Sequence, residues 1–289
     1  MKFLFVFLFF VLVDVAYGQT PVRLFSGEAP DENKLLQEFD DISGDFVGGK
    51  SVCRKTNVMI PTITVYKSFR SDGKSPAMLV CPGGGYNILA YDLEGTEICE
   101  WLNQIGITAV LLKYRVPRRV GREKHEAPLQ DAQRALRYIR FHADSLNIFP
   151  DKIGVMGFSA GAHLSVMLSS SFYQSNYECK DSIDAVSCRP DFCLLLYPAY
   201  LDEENFKLAP EIKICKDIPP TLMIQAEDDN AYINSSLFYY YALKNAGVPA
   251  WMHLYSKGGH GYGIRNTGNM IDEWPLRACE WLKEIGILH

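Results

Sequence analysis

The chain has 289 residues, of which 48% are hydrophobic and 22% are charged, and its formal net charge is −5. A chain of this length and composition buries a large core, which excludes a disordered tail, a coiled coil and a small disulfide-only scaffold. The acidic balance argues against nucleic acid or anionic lipid as a natural partner.

The N-terminus has the pattern of an export signal. Met1 and Lys2 are followed by an apolar run over 3–13, and Ala16-Tyr17-Gly18 puts small residues before Gln19. The run is too short to span a bilayer, so the pattern predicts a signal peptide over 1–18 rather than an anchor. We therefore expect 19–289 to form one secreted, extracellular domain with no membrane contact after cleavage.

The rest of the chain alternates between β-rich apolar runs and segments of helical period. Strands are predicted over 58–67, 76–81, 107–114, 152–158, 192–197, 221–226 and 250–255. Helices are predicted over 94–105, 128–142, 160–169, 235–246 and 275–285. Such alternation is typical of a doubly wound, mostly parallel sheet with helices on both faces.

Two glycine motifs follow predicted strands. Cys81-Pro-Gly-Gly-Gly-Tyr86 comes after the second strand, and its glycines leave backbone N–H groups unobstructed. Gly157-Phe-Ser-Ala-Gly161 lies between a strand and a helix, the context of a nucleophile elbow that presents Ser159. An N-capping serine in a tight turn is the alternative for Ser159. Phosphate-binding glycine motifs are absent from the sequence.

A nucleophilic serine needs a base and an acid, and in the fold that carries a nucleophile elbow both follow the serine in the chain. His163 lies in the elbow helix, His253 in a strand and His289 at the end, which leaves His260 between glycines after the last strand. The acid should follow the preceding strand, where Asp229 is favoured over its neighbour Asp228. Asp229 would hold the tautomer of His260 and stabilise the imidazolium.

The cysteines and one asparagine carry weaker signals. Export would permit disulfides, and Cys179 with Cys188 is the first pair to expect, whereas Cys193 looks like a buried thiol. The sequence has no CxxC, and we predict neither a metal nor a cofactor. Asn234 opens a glycosylation sequon, although capping of a helix is the favoured interpretation.

These motifs resemble the α/β-hydrolase fold, and within it the secreted acetyl-esterase-like group related to feruloyl-esterase-type and hormone-sensitive-lipase-like enzymes. The resemblance also includes Leu-Lys-Tyr-Arg-Val-Pro at 112–117 and Pro-Leu-Gln-Asp-Ala-Gln-Arg-Ala at 128–135. It implies a catalytic triad and an oxyanion hole formed by backbone amides; the triad is Ser159, Asp229 and His260, and the amides are those of Gly84, Gly85 and Ala160. Pro82 departs from the histidine common in such glycine loops, and Ala162 replaces a second glycine.

The expected reaction is hydrolysis of short acyl esters, acetyl above all, on small molecules or carbohydrates. Only about 23 residues separate the strands ending at Tyr197 and starting at Thr221, which leaves no room for a large lid. A glycosidase is excluded because these motifs serve acyl transfer and not cleavage between paired carboxylates. A serine exopeptidase and a non-catalytic binding protein of the same fold are the alternatives. The natural ester and the oligomeric state stay open.

Overall fold

The computed structural model describes residues 20–32, 36–44, 46–69, 73–203 and 207–289. The predicted signal peptide over 1–18 lies outside these residues. Within them, no helix is both long and apolar enough to cross a membrane.

The fold is organised around one large central sheet. In the described part of the chain this sheet has eight strands: β1 (Val22–Arg23), β2 (Thr62–Tyr66), β3 (Ser75–Cys81), β4 (Thr108–Lys113), β5 (Ile148–Phe158), β6 (Cys193–Leu196), β7 (Thr221–Ala226) and β8 (Ala250–Tyr255). They lie in the order β1-β2-β4-β3-β5-β6-β7-β8. Pairing is antiparallel at β1–β2 and β2–β4 and parallel elsewhere, so the carboxyl ends of β3 to β8 meet at one edge.

Helices cover both faces of the sheet. They are α1 (Glu97–Gln104), α2 (Glu126–Phe141), α3 (Ala143–Leu146), α4 (Ala160–Ser170), α5 (Ile233–Asn245) and α6 (Trp274–Glu284). Alternate residues of β3 point to opposite faces: Leu79 packs in the cluster with α2, α4 and α5, and Met78 in the cluster with α1 and α6. The predicted architecture, a mostly parallel sheet between two helical layers, is confirmed.

Short strands lie outside the central sheet. Phe39–Asp41, Arg54–Thr56 and Leu89–Ala90 form a small antiparallel sheet, Phe46–Val47 pairs with Lys50–Ser51, and Asp202–Glu203 pairs with Lys207–Leu208. The last pair lies in the connection from β6 to β7. In its described part that connection holds nothing larger, in agreement with the expected absence of a large lid.

Some element boundaries differ from the prediction for identifiable reasons. The strand predicted over 58–67 begins only at Thr62, because Pro61 has no N–H to donate and Val58 forms an isolated bridge with Val116. The helix predicted from Glu94 begins instead as a wide π-helical turn over Asp92–Thr96 and becomes α-helical at Glu97.

The two further motifs of the resemblance bind each other. Arg115, after β4, donates from Nε to both carboxylate oxygens of Asp131 on α2 at 3.0 Å, and both side chains are buried. Arg115 also donates to the side chain of Gln130 (2.7 Å) and to the carbonyls of Ala127 and Pro30. A buried ion pair with these additional bonds fixes the segment after β4 against the start of α2.

Two local expectations are wrong. All eight cysteines are free, so the structure lacks the predicted Cys179–Cys188 disulfide: Cys188 is buried with its Sγ 3.7 Å from the Phe172 carbonyl oxygen, and Cys179 is exposed. Cys193 is buried as expected. Asn234 does not cap α5, because the helix already includes Ile233 and its N-cap residue is Tyr232.

Candidate active site

Ser159 lies on the sharp turn between β5 and α4. Its φ of +52° and ψ of −118° are unfavourable for a side-chain-bearing residue, and its carbonyl accepts hydrogen bonds from the amides of Ala162 and His163. The flanking glycines have no room for a side chain: a Cβ on Gly157 would lie 2.1 Å from the Gly161 carbonyl oxygen, and one on Gly161 would lie 2.0 Å from that of Cys81. Glycines at both positions therefore let the turn close tightly and project the serine hydroxyl from the sheet edge.

The structure brings His260 and Asp229 to this serine. The loop after β8 places His260 Nε2 2.8 Å from Ser159 Oγ. On the other side of the ring, His260 Nδ1 lies 2.7 Å from Asp229 Oδ2, in the loop after β7. Asp229 is buried, whereas the His260 side chain is 29% exposed. The three side chains thus form one hydrogen-bonded chain from a buried carboxylate to an accessible hydroxyl.

Asp228, the alternative acid, points elsewhere. Its Oδ1 accepts hydrogen bonds from the amides of Gly258 (3.0 Å) and Gly259 (2.8 Å). Asp228 therefore holds the backbone just before His260, and only its neighbour Asp229 contacts the imidazole.

The glycine loop after β3 lies directly against the elbow. A Cβ on Gly83 would be 2.9 Å from Ser159 Cβ, which shows how closely the two segments approach. In the described part of the chain, the amides of Gly84 and Gly85 donate to no acceptor. Ala160 is the first residue of α4, so its amide has no intrahelical acceptor either. The three amides predicted from the sequence are thus available to a ligand.

A buried carboxylate beneath the site was not anticipated. Glu94 accepts the Gly83 amide at Oε2 (2.6 Å) and the Tyr197 hydroxyl at Oε1 (2.8 Å). Tyr197 Oη in turn accepts the amide of Gly263 (3.1 Å), and its ring packs edge-on against His260 with centroids 4.9 Å apart. Burial raises the pKa of Glu94 above its ordinary value. Glu94 therefore links the glycine loop to the loop that carries His260.

The other histidine near the elbow is separated from this chemistry. His163 is fully buried on α4, where its Nδ1 shares a 2.8 Å hydrogen bond with the Tyr86 hydroxyl. Burial lowers the pKa of His163, and it lowers that of the adjacent His125 to about 4, so burial favours the neutral form of each imidazole. His163 therefore takes no part in the hydrogen-bonded chain of Asp229, His260 and Ser159.

The known proteins similar to this chain include ester hydrolases and a xylanase. Residues 63–187 match the profile of the BD-FAE family, a region that includes the glycine loop and Ser159. An acetylxylan esterase of Xylanibacter ruminicola is 30% identical over 72% of this chain and 45% of its own length. An endo-1,4-beta-xylanase B of Butyrivibrio fibrisolvens is 29% identical over 72% of this chain and 35% of its own. The chain thus spans less than half the length of these two relatives.

A solved structure matches over nearly its full length. The acetyl ester-xyloside bifunctional hydrolase of Caldicellulosiruptor lactoaceticus is 30% identical, with a TM-score of 0.75 over 94% of this chain and 98% of that one. This coverage extends the similarity well beyond residues 63–187, the region of the family profile.

Proposed function

Because the chain belongs to the esterase group of the α/β hydrolases, we propose that it is a serine esterase that removes short acyl groups, acetyl above all, from carbohydrates. The observation that carries the proposal is the hydrogen-bonded chain Asp229–His260–Ser159, seated on a strained elbow beside the glycine loop. The acetylxylan esterase and acetyl ester hydrolase among its relatives favour acetyl esters of sugars.

The proposed reaction proceeds through an acyl-enzyme. His260 Nε2 takes the proton of Ser159 Oγ as the hydroxyl attacks the ester carbonyl, and Asp229 accepts the Nδ1–H bond that holds the reactive tautomer. The amides of Gly84, Gly85 and Ala160 stabilise the oxyanion of the tetrahedral intermediate. The protonated His260 then donates to the leaving alcohol, and water releases the acid by the reverse roles.

The proposed preference for small acyl groups rests on the architecture above the site. The β6–β7 connection adds only a two-stranded ribbon in its described part, and His260 is partly exposed. Such an open site gives a long acyl chain little apolar surface to cover it, while a bulky polysaccharide alcohol can approach.

The test is an ester panel with a matched inactive variant. Wild type should cleave p-nitrophenyl acetate faster than the hexanoate and release acetate from acetylated xylan, whereas Ser159→Ala should lose about 10⁴-fold or more in rate. Equal rates for the two proteins would contradict the triad, and faster hexanoate turnover would contradict the acyl preference. Acetylated pectin in the panel tests whether the preference extends to another polysaccharide.

The same panel separates the alternatives. Aminoacyl p-nitroanilides report a serine exopeptidase, and p-nitrophenyl xyloside reports glycosidase activity. We expect the xyloside to stay intact, because Asp229 is engaged by His260 and Glu94 by Gly83 and Tyr197, so these two carboxylates do not flank a bond. We expect the anilides to stay intact because the described part of the β6–β7 connection adds only a two-stranded ribbon and no large domain that could gate a peptidase site. A binding protein would leave every substrate intact.

We also propose that the protein is exported and acts as one extracellular domain over 19–289. The support is the N-terminal pattern of a basic start, an apolar run and a small-x-small site. N-terminal sequencing of protein from the culture medium should give Gln19 as the first residue. Retention in the cells with Met1 intact would overturn this proposal.

A further inference from the structure

A second cluster of side chains, separate from the Ser159–His260–Asp229 chain, carries atoms that can bind a metal ion. His163 on α4 and His125, which immediately precedes α2, have ring centroids 5.5 Å apart. Glu211, in the β6–β7 connection, places Oε1 3.4 Å from His163 Nε2. One ligand atom from each of these three residues lies within 4.8 Å of the other two.

One member of the cluster has an unused ligand atom. His125 is only 8% exposed, and its Nδ1 is buried with no hydrogen-bond partner among the described residues. Leaving a buried polar atom unpaired costs about 1–3 kcal/mol, so such an atom requires an explanation. Together with the second imidazole and the carboxylate beside His125, this unpaired atom points to a bound cation.

The surroundings can adapt to such an ion. The Tyr86 hydroxyl that bonds His163 Nδ1 can accept as well as donate. It can therefore receive an Nδ1–H bond and leave the Nε2 lone pair for a metal, which is the usual outer-shell arrangement of a ligating histidine. Lys124 Nζ lies 3.2 Å from Glu211 Oε1 and balances its charge in the metal-free protein.

The cluster is also accessible. His125 and Glu211 line a surface pocket of about 660 Å³, together with Lys124 and Tyr200. A hydrated ion can reach His125 and Glu211 through this opening, with the buried His163 behind them, and the pocket can supply water as a fourth ligand.

We propose that His125, His163 and Glu211 form a zinc-binding site. Two imidazoles and one carboxylate are a ligand set that Zn²⁺ favours, with a fourth position left for water. The bound ion would join the residue before α2, the elbow helix and the β6–β7 connection, and thereby fix the connection over the sheet edge. The proposal does not depend on the reaction that Ser159 carries out.

The test uses untagged, EDTA-treated protein titrated with ZnCl₂ in a calorimeter. We expect one equivalent to bind, and Co²⁺ at the same site to show the visible absorption bands of a low-symmetry, four-coordinate ion. His125→Phe and Glu211→Gln should each weaken Zn²⁺ binding by about 100-fold or more, since loss of even an outer-shell partner costs about 10–100-fold. Lys124→Met should strengthen it, because the ammonium competes for Glu211.

The controls make the outcome decisive. His253→Ala removes an imidazole outside the cluster and should bind Zn²⁺ as wild type does. Ser159→Ala should also bind Zn²⁺ as wild type does, because Zn²⁺ binding does not require esterase activity. Circular dichroism checks that each variant is folded. No binding by wild type, or unchanged affinity in folded His125→Phe and Glu211→Gln, would overturn the proposal.

Discussion

At the scale of single residues, two adjacent carboxylates differ in what they contact. Asp229 accepts from the His260 imidazole, and Asp228 accepts from two amides in the loop before it. One aspartate therefore acts on the ring and the other on the backbone that positions the ring, so their removal should have different effects.

Asp229→Asn should lower kcat by about 10⁴-fold, because an amide favours the wrong tautomer of His260. Asp228→Asn keeps an oxygen that can accept from Gly258 and Gly259, so kcat should fall by no more than about ten-fold. Steady-state kinetics on p-nitrophenyl acetate measures both. A larger loss for Asp228→Asn than for Asp229→Asn would reverse the assignment.

Glu94 makes a second residue-scale prediction, which concerns pH. Burial raises its folded pKa above the ordinary value of 4.5, so its contribution to stability is present below that value and is lost as pH rises through the folded pKa. Gln at position 94 does not ionise and can still bond Gly83 and Tyr197. The free energy of unfolding of Glu94→Gln, relative to wild type, should therefore increase from about pH 4 to about pH 8.

Urea denaturation across that range measures the difference, with Glu100→Gln, an exposed carboxyl on α1, as the control. If the free energy of unfolding changed with pH in the same way for Glu94→Gln and wild type, Glu94 would not have a raised pKa in the folded protein. Glu94→Ala should instead lose stability at every pH, by about 1–3 kcal/mol for each buried partner left unpaired.

At the scale of elements, the site depends on how closely β3, β5 and α4 approach. Gly161→Ala would force a Cβ to 2.0 Å from the Cys81 carbonyl oxygen, where backbone must move. We expect a loss of about 4 kcal/mol or more of unfolding free energy, together with loss of activity. Gly73→Ala, where nothing lies within 4 Å and φ is not positive, should leave stability nearly unchanged. Similar effects of the two substitutions would disprove the close approach.

The elements and the motifs on them could be predicted because their signals are local. Helical period and strand composition located each main element, and the strand–turn–helix context located Ser159.

The contacts of Glu94 could not be predicted, because its partners Gly83 and Tyr197 are 11 and 103 residues away and nothing in the local pattern connects them. The choice between Asp228 and Asp229 stayed open because it depends on the direction of two neighbouring side chains in one turn. The disulfide prediction failed because sequence spacing does not determine whether two thiols meet.

At the scale of the whole molecule, noncovalent packing holds the fold together without covalent cross-links. All eight cysteines are free, and burial raises the pKa of Cys193 to about 12, which suppresses its reactive thiolate. The two apolar clusters on either side of the sheet supply the stability instead.

We therefore expect dithiothreitol to leave the midpoint of thermal unfolding unchanged. A thiol reagent should titrate eight free thiols in the protein when it is denatured without a reducing agent. In the native protein the exposed Cys179 should react first. A midpoint that falls by several degrees on reduction, or six thiols instead of eight, would reveal a disulfide.

The backbone angles of Ser159 imply a trade-off between folding stability and the proposed activity. The cost of holding a side-chain-bearing residue at φ +52° is about 1–3 kcal/mol, and it is incurred in every folded molecule whether or not substrate is present. Glycine adopts these angles without strain, so Ser159→Gly should be more stable than Ser159→Ala by about 1 kcal/mol in urea denaturation, although both are inactive. Stability alone would thus favour glycine at position 159, whereas the proposed reaction requires the serine hydroxyl.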